Sequence, residues 1–318
     1  MVIGFATVAM IALVSVLTWF LGIERLPEPV NPTLGDGGVD AFASLTSGGA
    51  TDTTRIVQLG ELPDELDESS GVAVSRTHEK LMWSHNDGGE GVLFALRPDG
   101  APVGTIGVQG VDIHDWEDID LAPCPPRFAD RRDCLYIADT GNNELQRDRL
   151  AIDIVPEPDP SSVARVTVAR RIHFRYPDGA ADTEALAMSP DGDALLITKG
   201  QDGSSRVYRL DADILRTASP SERTVTAGFV AALSLVVDGG RNGITGAAVS
   251  PDGLTLAVRN NHSVYLFPMD GLGEAPTLCE IGSIQPQGEG LDFLDDDRLV
   301  LTSERIRGRS PVVSLRCP

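Results

Sequence analysis

The chain has 318 residues, 26 of them basic and 47 acidic, for a formal net charge of −21. That balance repels a phosphate backbone and excludes nucleic-acid binding, whereas a hydrophobic share of 42% supports a folded core and excludes wholesale disorder. Only 5% of residues are aromatic, but Gly 33 and Pro 21 supply many turns, the profile of short strands rather than of a helical bundle.

From Val2 to Ile23 the chain runs through 22 uncharged, mostly apolar positions and then meets Glu24 and Arg25. This is long enough to cross a bilayer core of ~30 Å, so residues 1–23 are expected to be a membrane anchor, with a cleaved export signal as the alternative. Arg25 on the C-terminal flank argues mildly for a cytoplasmic side; the cysteines argue for the outside. Residues 24–53 are rich in Pro, Gly, Ser, Thr and Asp without apolar periodicity, and read as an extracytoplasmic spacer. Cys124, Cys134, Cys279 and Cys317 show no C-x-x-C spacing, which disfavours zinc and thioredoxin-like chemistry. Two disulfides in an oxidising compartment are expected, with Cys124 paired to Cys134; four reduced thiols are the alternative.

Beyond this point one hexapeptide recurs: SGVAVS from Ser70, EDIDLA from Glu117, EALAMS from Glu184, TGAAVS from Thr245 and EGLDFL from Glu289. A polar residue is followed by a small one or Asp, then by apolar residues at positions three and five, which is the alternation of a strand. A second apolar run follows each, from Leu81, Leu135, Leu195, Leu256 and Leu299, after turn signals such as SPDG. Most units carry a third run and a fourth, for example GVLFAL then PVGTIGV, with VTVARRIHF from Val166 as the fourth strand of the second unit. Four-stranded units at intervals of 47, 67, 61 and 44 residues predict a single all-β β-propeller over residues 54–318. Five blades are counted, with six as the alternative. The last unit has only three strands, so the strand at Thr53–Leu59 is expected to complete it and close the ring.

In such blades the start of strand one and the end of strand two share an edge. Their polar residues are therefore expected on one face, around the channel: Ser70, Glu117, Glu184, Thr245 and Glu289 from the first set, and His85, Asn86, Asp87, Asp139, Asn142, Asn143, Lys199, Arg259 and Glu304 from the second, with His262 nearby. Carboxylates from Glu117, Glu184, Glu289 and Asp139 would suit Ca²⁺ or Mg²⁺ better than zinc, Ca²⁺ being the first expectation. Ion pairs with Lys199 and Arg259 are the alternative. Trp116 reads as a packing wedge between blades. Asn261-His262-Ser263 matches a glycosylation acceptor, a pattern common by chance. No nucleophile elbow and no P-loop is present.

With SSGVAVS, HNDGGEGVLFALRPDG, WEDIDLAP, LYIADTGNN, TEALAMSPDG, LLITKG, ITGAAVSPDG and QGEGLDF in view, the chain from about Arg55 to Pro318 resembles exported bacterial propellers of the phytase-like (esterase-like) superfamily. QGEGLDF also resembles the opening motif of gluconolactonase/regucalcin-type propellers, in which a Glu binds the metal; that likeness implies Glu289 as a ligand. The phosphate-binding motif set of true β-propeller phytases is missing, which argues against phytate. Two functions are expected from these readings. One is metal-assisted hydrolysis of a small anionic ester or lactone, with Glu184 and Glu289 as ligand or base. Lys199, Arg259, Asn86, Asn142, His85 and His262 would then hold the substrate. The other is a non-catalytic cell-surface module that holds a small anionic ligand or a surface protein on the same face.

Overall fold

In the computed structural model, residues 54–318 are described except 89, 111, 129–132, 218–222, 239 and 241. The expected anchor and spacer lie outside the described residues. Among the described residues no helix is long and apolar enough to cross a membrane.

The first blade comprises β2 (Ser69–Val74), β3 (Met82–Asn86), β4 (Val92–Leu96) and β5 (Pro102–Gln109), after β1 (Arg55–Glu61). The second has β6 (Trp116–Pro123), β7 (Asp133–Asp139) and β8 (Leu150–Pro156), then β9 (Arg165–Thr167) and β10 (Arg170–Arg175). The third has β11 (Thr183–Met188), β12 (Ala194–Thr198) and β13 (Arg206–Leu210), the short helix α1 (Ala212–Thr217), and β14 (Val225–Thr226) with β15 (Gly228–Ala232). The fourth is β16 (Gly246–Val249), β17 (Thr255–Arg259), β18 (Ser263–Pro268) and β19 (Thr277–Glu280). The fifth has β20 (Gly288–Phe293), β21 (Leu299–Ser303) and β22 (Pro311–Arg316), and β1 pairs antiparallel with β22 to complete it. These are five four-stranded blades closed by the N-terminal strand, as the repeats predicted; among the described residues there is no sixth.

The expected single strand VTVARRIHF is two strands. β10 is the outer strand of blade two, while β9 runs parallel to β5 on the edge of blade one. Similarly β14, from the connection between β13 and β15, runs parallel to β10. Each connection thus covers the outer edge of the preceding blade, where unpaired N–H and C=O groups would otherwise be left.

Alternation along the inner strands has a direct cause. In β11, Leu186 and Met188 point to an apolar cluster shared with blade two, whereas Ala185 and Ala187 point to one shared with blade four. Trp116 is fully buried in the cluster between blades one and two, as expected of a wedge. Every inner strand packs against those of both neighbouring blades. They approach so closely that the small second residue of the hexapeptide is obligatory in places. A Cβ on Gly290 would lie 2.4 Å from Thr302 Oγ1 and 2.8 Å from the Val72 amide nitrogen. Gly290→Ala is expected to lower stability by about 3 kcal/mol in chemical denaturation, the cost of overpacking a rigid contact; an unchanged midpoint would show that the strands can part.

Carboxylates also staple the ring. Asp120 accepts the Met188 N–H of the next blade at 2.6 Å, and Asp292 accepts the Val74 N–H at 2.5 Å. Disulfides join Cys124 to Cys134 and Cys279 to Cys317, indicating that the chain matures in an oxidising compartment.

Candidate functional site

Where the inner strands begin, the register slips by one residue in four of them: between Ser69 and Val72, Trp116 and Asp118, Thr183 and Ala185, and Gly288 and Leu291. Such bulges re-aim a side chain, and here they release Ser70, Glu117, Glu184 and Glu289 from the two-faced alternation. These four line a cavity of about 310 Å³ at the channel mouth, joined by Thr245 from the fourth blade. The end of each second strand adds one more residue: Asp87, Asn143, Lys199, Asn261 and Glu304. Gly240 and Gln287 also line it.

The charges are unequal. Among the described residues five carboxylates face one ammonium, and that ammonium is committed: Lys199 Nζ lies 2.7 Å from Glu184 Oε1 and 3.7 Å from Asp182 Oδ2, and donates to Asn143 Oδ1 at 3.2 Å. Burial opposes the lysine's charge, but Glu184 and Asp182 more than offset it and hold its pKa above the usual range. Burial raises Glu184 to about 8 despite Lys199, helped by neighbouring Asp182. Burial, then the charges of Glu184, Asp87 and Asp115, pushes Glu117 well above its ordinary value. Glu289 is raised in the same way by burial and by Glu184 and Glu304. Asp87 rises to about 7 through burial and its contact with Asp115.

Two groups of carboxylates are close enough to share one cation. The oxygens of Asp87, Asp115 and Glu117 lie within 4.8 Å of one another, and so do those of Glu117, Asp182 and Glu184. Glu289 lines the cavity but belongs to neither triplet. Asp115 and Asp182 were not singled out in the sequence. Their signal was present, since each lies two residues before an inner-strand Glu (Asp115-Trp-Glu117, Asp182-Thr-Glu184). Gln287 stands in the same relation to Glu289.

Several residues expected at the site do other work. Asp139 is not a ligand: Arg147 bonds it at 2.7 Å and Arg171 takes its other oxygen. Burial alone would raise its pKa, but these two guanidinium groups hold it below the ordinary range. Its oxygens also accept the N–H groups of Asp115 and His114, at 3.1 and 3.2 Å, so it fixes the segment that carries Asp115. Arg259 is fully buried and donates to the Gly290 and Thr302 carbonyls and to Gln285, so its guanidinium is spent inside the fold and does not line the cavity. His85 is buried against Trp116, and burial depresses its pKa to about 4. Asn86 bridges the Glu68 N–H and the Glu65 carbonyl. Asn142 holds Arg147 and Ala181, and His262 turns to the Gly282 carbonyl. None of these six lines the cavity. Asn261 does, so the acceptor-pattern asparagine faces the channel mouth.

No family model matches the chain, and no curated protein matches it in sequence. Among solved structures it is similar to the PQQ-bound aldose sugar dehydrogenase of Streptomyces coelicolor (9% identity, TM-score 0.45, 84% of this chain and 99% of that one). It is also similar to the apo form of the soluble aldose sugar dehydrogenase of Escherichia coli (12%, 0.47, 84% and 100%). A third likeness is to a luciferin-regenerating enzyme (13%, 0.47, 83% and 95%). At these identities and TM-scores, the likenesses carry nothing about chemistry.

Proposed function

We propose that this protein is an exported hydrolase of the phytase-like kind, which uses a divalent cation at the carboxylates around Glu117 to cleave a small anionic ester or lactone. The observation that carries the reading is Glu117 itself. It is 4% exposed, lines the cavity and belongs to both triplets, and among the described residues no donor reaches its carboxylate. A buried carboxylate without a partner is costly, and carboxylate and amide oxygens with no His or Cys suit Ca²⁺ or Mg²⁺. Bound there, such an ion would polarise the scissile group.

The chain's own residues divide the remaining tasks. Glu289, whose hold on a proton burial strengthens, can give that proton to a leaving oxygen. Glu184, bonded to Lys199, can exchange one. Lys199 alone attracts a free anion weakly because two carboxylates neutralise it, so the cation has to supply the positive charge for an anionic substrate. The cavity hydroxyls are unsuited to attack: Ser70 Oγ donates to the Glu117 carbonyl, and Thr245 Oγ1 to the Gly288 carbonyl at 2.8 Å. The nucleophile is therefore water. That same lack of an activated nucleophile favours the second reading, a module that binds without turnover.

Chelated protein and Ca²⁺-loaded protein should be compared on phosphoester, carboxyester and lactone panels and in thermal melts. Expected are a stabilisation of about 2.7 kcal/mol at one hundred times Kd, and cation-dependent turnover of one ester class that Glu289→Gln abolishes. Stabilisation without turnover would leave the binding module. No response to cation would end both the hydrolase and its electrophile.

A further inference from the structure

The two triplets that share Glu117 are not equivalent, and we propose that Asp87, Asp115 and Glu117 form the cation's seat, while Asp182 and Glu184 belong to Lys199. This rests on the reading that the cavity takes a divalent cation. It assigns two ligands: Asp87, from the end of the second strand of blade one, and Asp115, which no repeat position identifies.

The Asp182–Glu184 side is already satisfied. The Lys199 ammonium sits against both carboxylates. Asp182 Oδ1 accepts the Asn142 N–H at 2.6 Å, and its Oδ2 accepts Gln201 Nε2 at 3.0 Å. An ion placed there would have to displace a cation and compete for lone pairs that are in use.

The Asp87–Asp115–Glu117 side is open. Among the described residues no Lys, Arg or His stands within ion-pair distance of the three and no hydrogen bond from outside the triplet reaches their carboxylates, although Lys199 feels the charge of Glu117. Three carboxylates within 4.8 Å of one another repel unless a proton or a cation is shared among them. Oxygen ligands about 2.4 Å from one Ca²⁺ lie at most ~5 Å apart, so the spacing fits. A second observation points the same way: Glu117 is more than nine-tenths buried, lines the cavity, and among the described residues receives no hydrogen bond on its carboxylate.

The surrounding loop is shaped for this convergence. A Cβ on Gly141 would lie 2.1 Å from Asp115 Oδ2 and 2.2 Å from Glu117 Oε1, so only glycine leaves room for both carboxylates. The Thr140 and Gly141 N–H groups bond the Asp115 carbonyl at 3.0 and 3.3 Å, and Asp139 bonds its N–H at 3.1 Å. Asp115 is thereby held at its backbone on both sides while its side chain is left to the triplet. Three oxygen ligands on one flank leave the rest of a Ca²⁺ shell, which takes six to eight, facing the cavity for water and substrate.

The test is calorimetric titration of the full-length, chelator-stripped protein with CaCl₂, using Asp115→Asn, Asp87→Asn and Asp182→Asn, each checked by circular dichroism. Asp115→Asn and Asp87→Asn should each raise Kd at least tenfold, and Asp182→Asn by less than threefold. Should Asp182→Asn weaken binding tenfold while both other variants bind normally, the seat lies on the Lys199 side and the assignment is wrong. Wild-type protein that binds no Ca²⁺ would overturn the underlying reading as well. If Asp115→Asn fails to fold, Asp87→Asn decides alone, because no hydrogen bond ties its carboxylate to a residue outside the triplet.

Discussion

A chain beginning at Leu62, and so lacking β1, is expected to lose cooperative unfolding or to melt more than about 10 °C below the longer protein. Six residue pairs join β1 to β22, from Arg55 with Arg316 to Glu61 with Pro311. Two further bonds lock the end of the clasp: Glu61 accepts the Ser310 N–H at 2.6 Å, and Leu62 donates to the Ser310 carbonyl at 2.9 Å. The strand also reaches the first blade, where Gly60 packs so tightly on the Asp99 carbonyl that a Cβ would lie 2.0 Å from it. Without β1, the buried residues Pro311–Leu315 would form an open, apolar sheet edge, and blades one and five would lose their shared fastening. Differential scanning calorimetry decides the matter. A single transition within about 2 °C of the longer protein would mean that the ring closes without its clasp.

Acidification is expected to stabilise this protein when cation is withheld. Burial raises Glu184 to about 8, Asp153 to about 7 in spite of Arg171, and Asp120 to about 6 in spite of two N–H bonds. Asp118 and Asp292 are pushed well above the carboxylate range, chiefly by burial. Between about pH 4 and these values the five carboxylates hold more protons in the native chain than in the unfolded one, and they outnumber His85, which burial lowers to about 4 and which holds fewer. The slope 2.303RT(νU − νN) is then negative, so stability falls as pH rises. Each tenfold gain in a carboxylate's proton affinity on folding is worth about 1.4 kcal/mol, and several groups add. In chelator, Tm should therefore peak near about pH 5 and lie about 10 °C lower at about pH 8. A Tm that climbs steadily over that interval would show that these carboxylates are charged and satisfied in the native state.

The architecture was legible because inner strands are buried on both faces and pinched by their neighbours, which imposes the same hexapeptide five times. Edge strands carry no such demand. β15 (GFVAA) is mostly exposed and shows no pattern, and β9 is a strand only because β5 of another blade lies beside it. Within the site, the starts of the inner strands could be read because the bulges recur with them. Arg259 and Asp139 could not, because long-range partners decide their fate. A Cβ on Gly288 would lie 1.6 Å from Arg259 Nη2, so the guanidinium occupies space that a side chain would fill, and Asp139 is captured by Arg171 from β10. Asp115 and Asp182 were visible as Asp-x-Glu pairs, but each lies just before its inner strand, so the repeat frame passed over them.

Everything proposed for the chemistry depends on a cation at Glu117. Crystals grown in saturating Mn²⁺ or Tb³⁺, measured for anomalous scattering, address this directly. A peak about 2.5 Å from a Glu117 oxygen is expected, on the side of Asp87 and Asp115 and away from Lys199. An ion-saturated crystal with no peak there, and Lys199 as the only cation among these carboxylates, would contradict it.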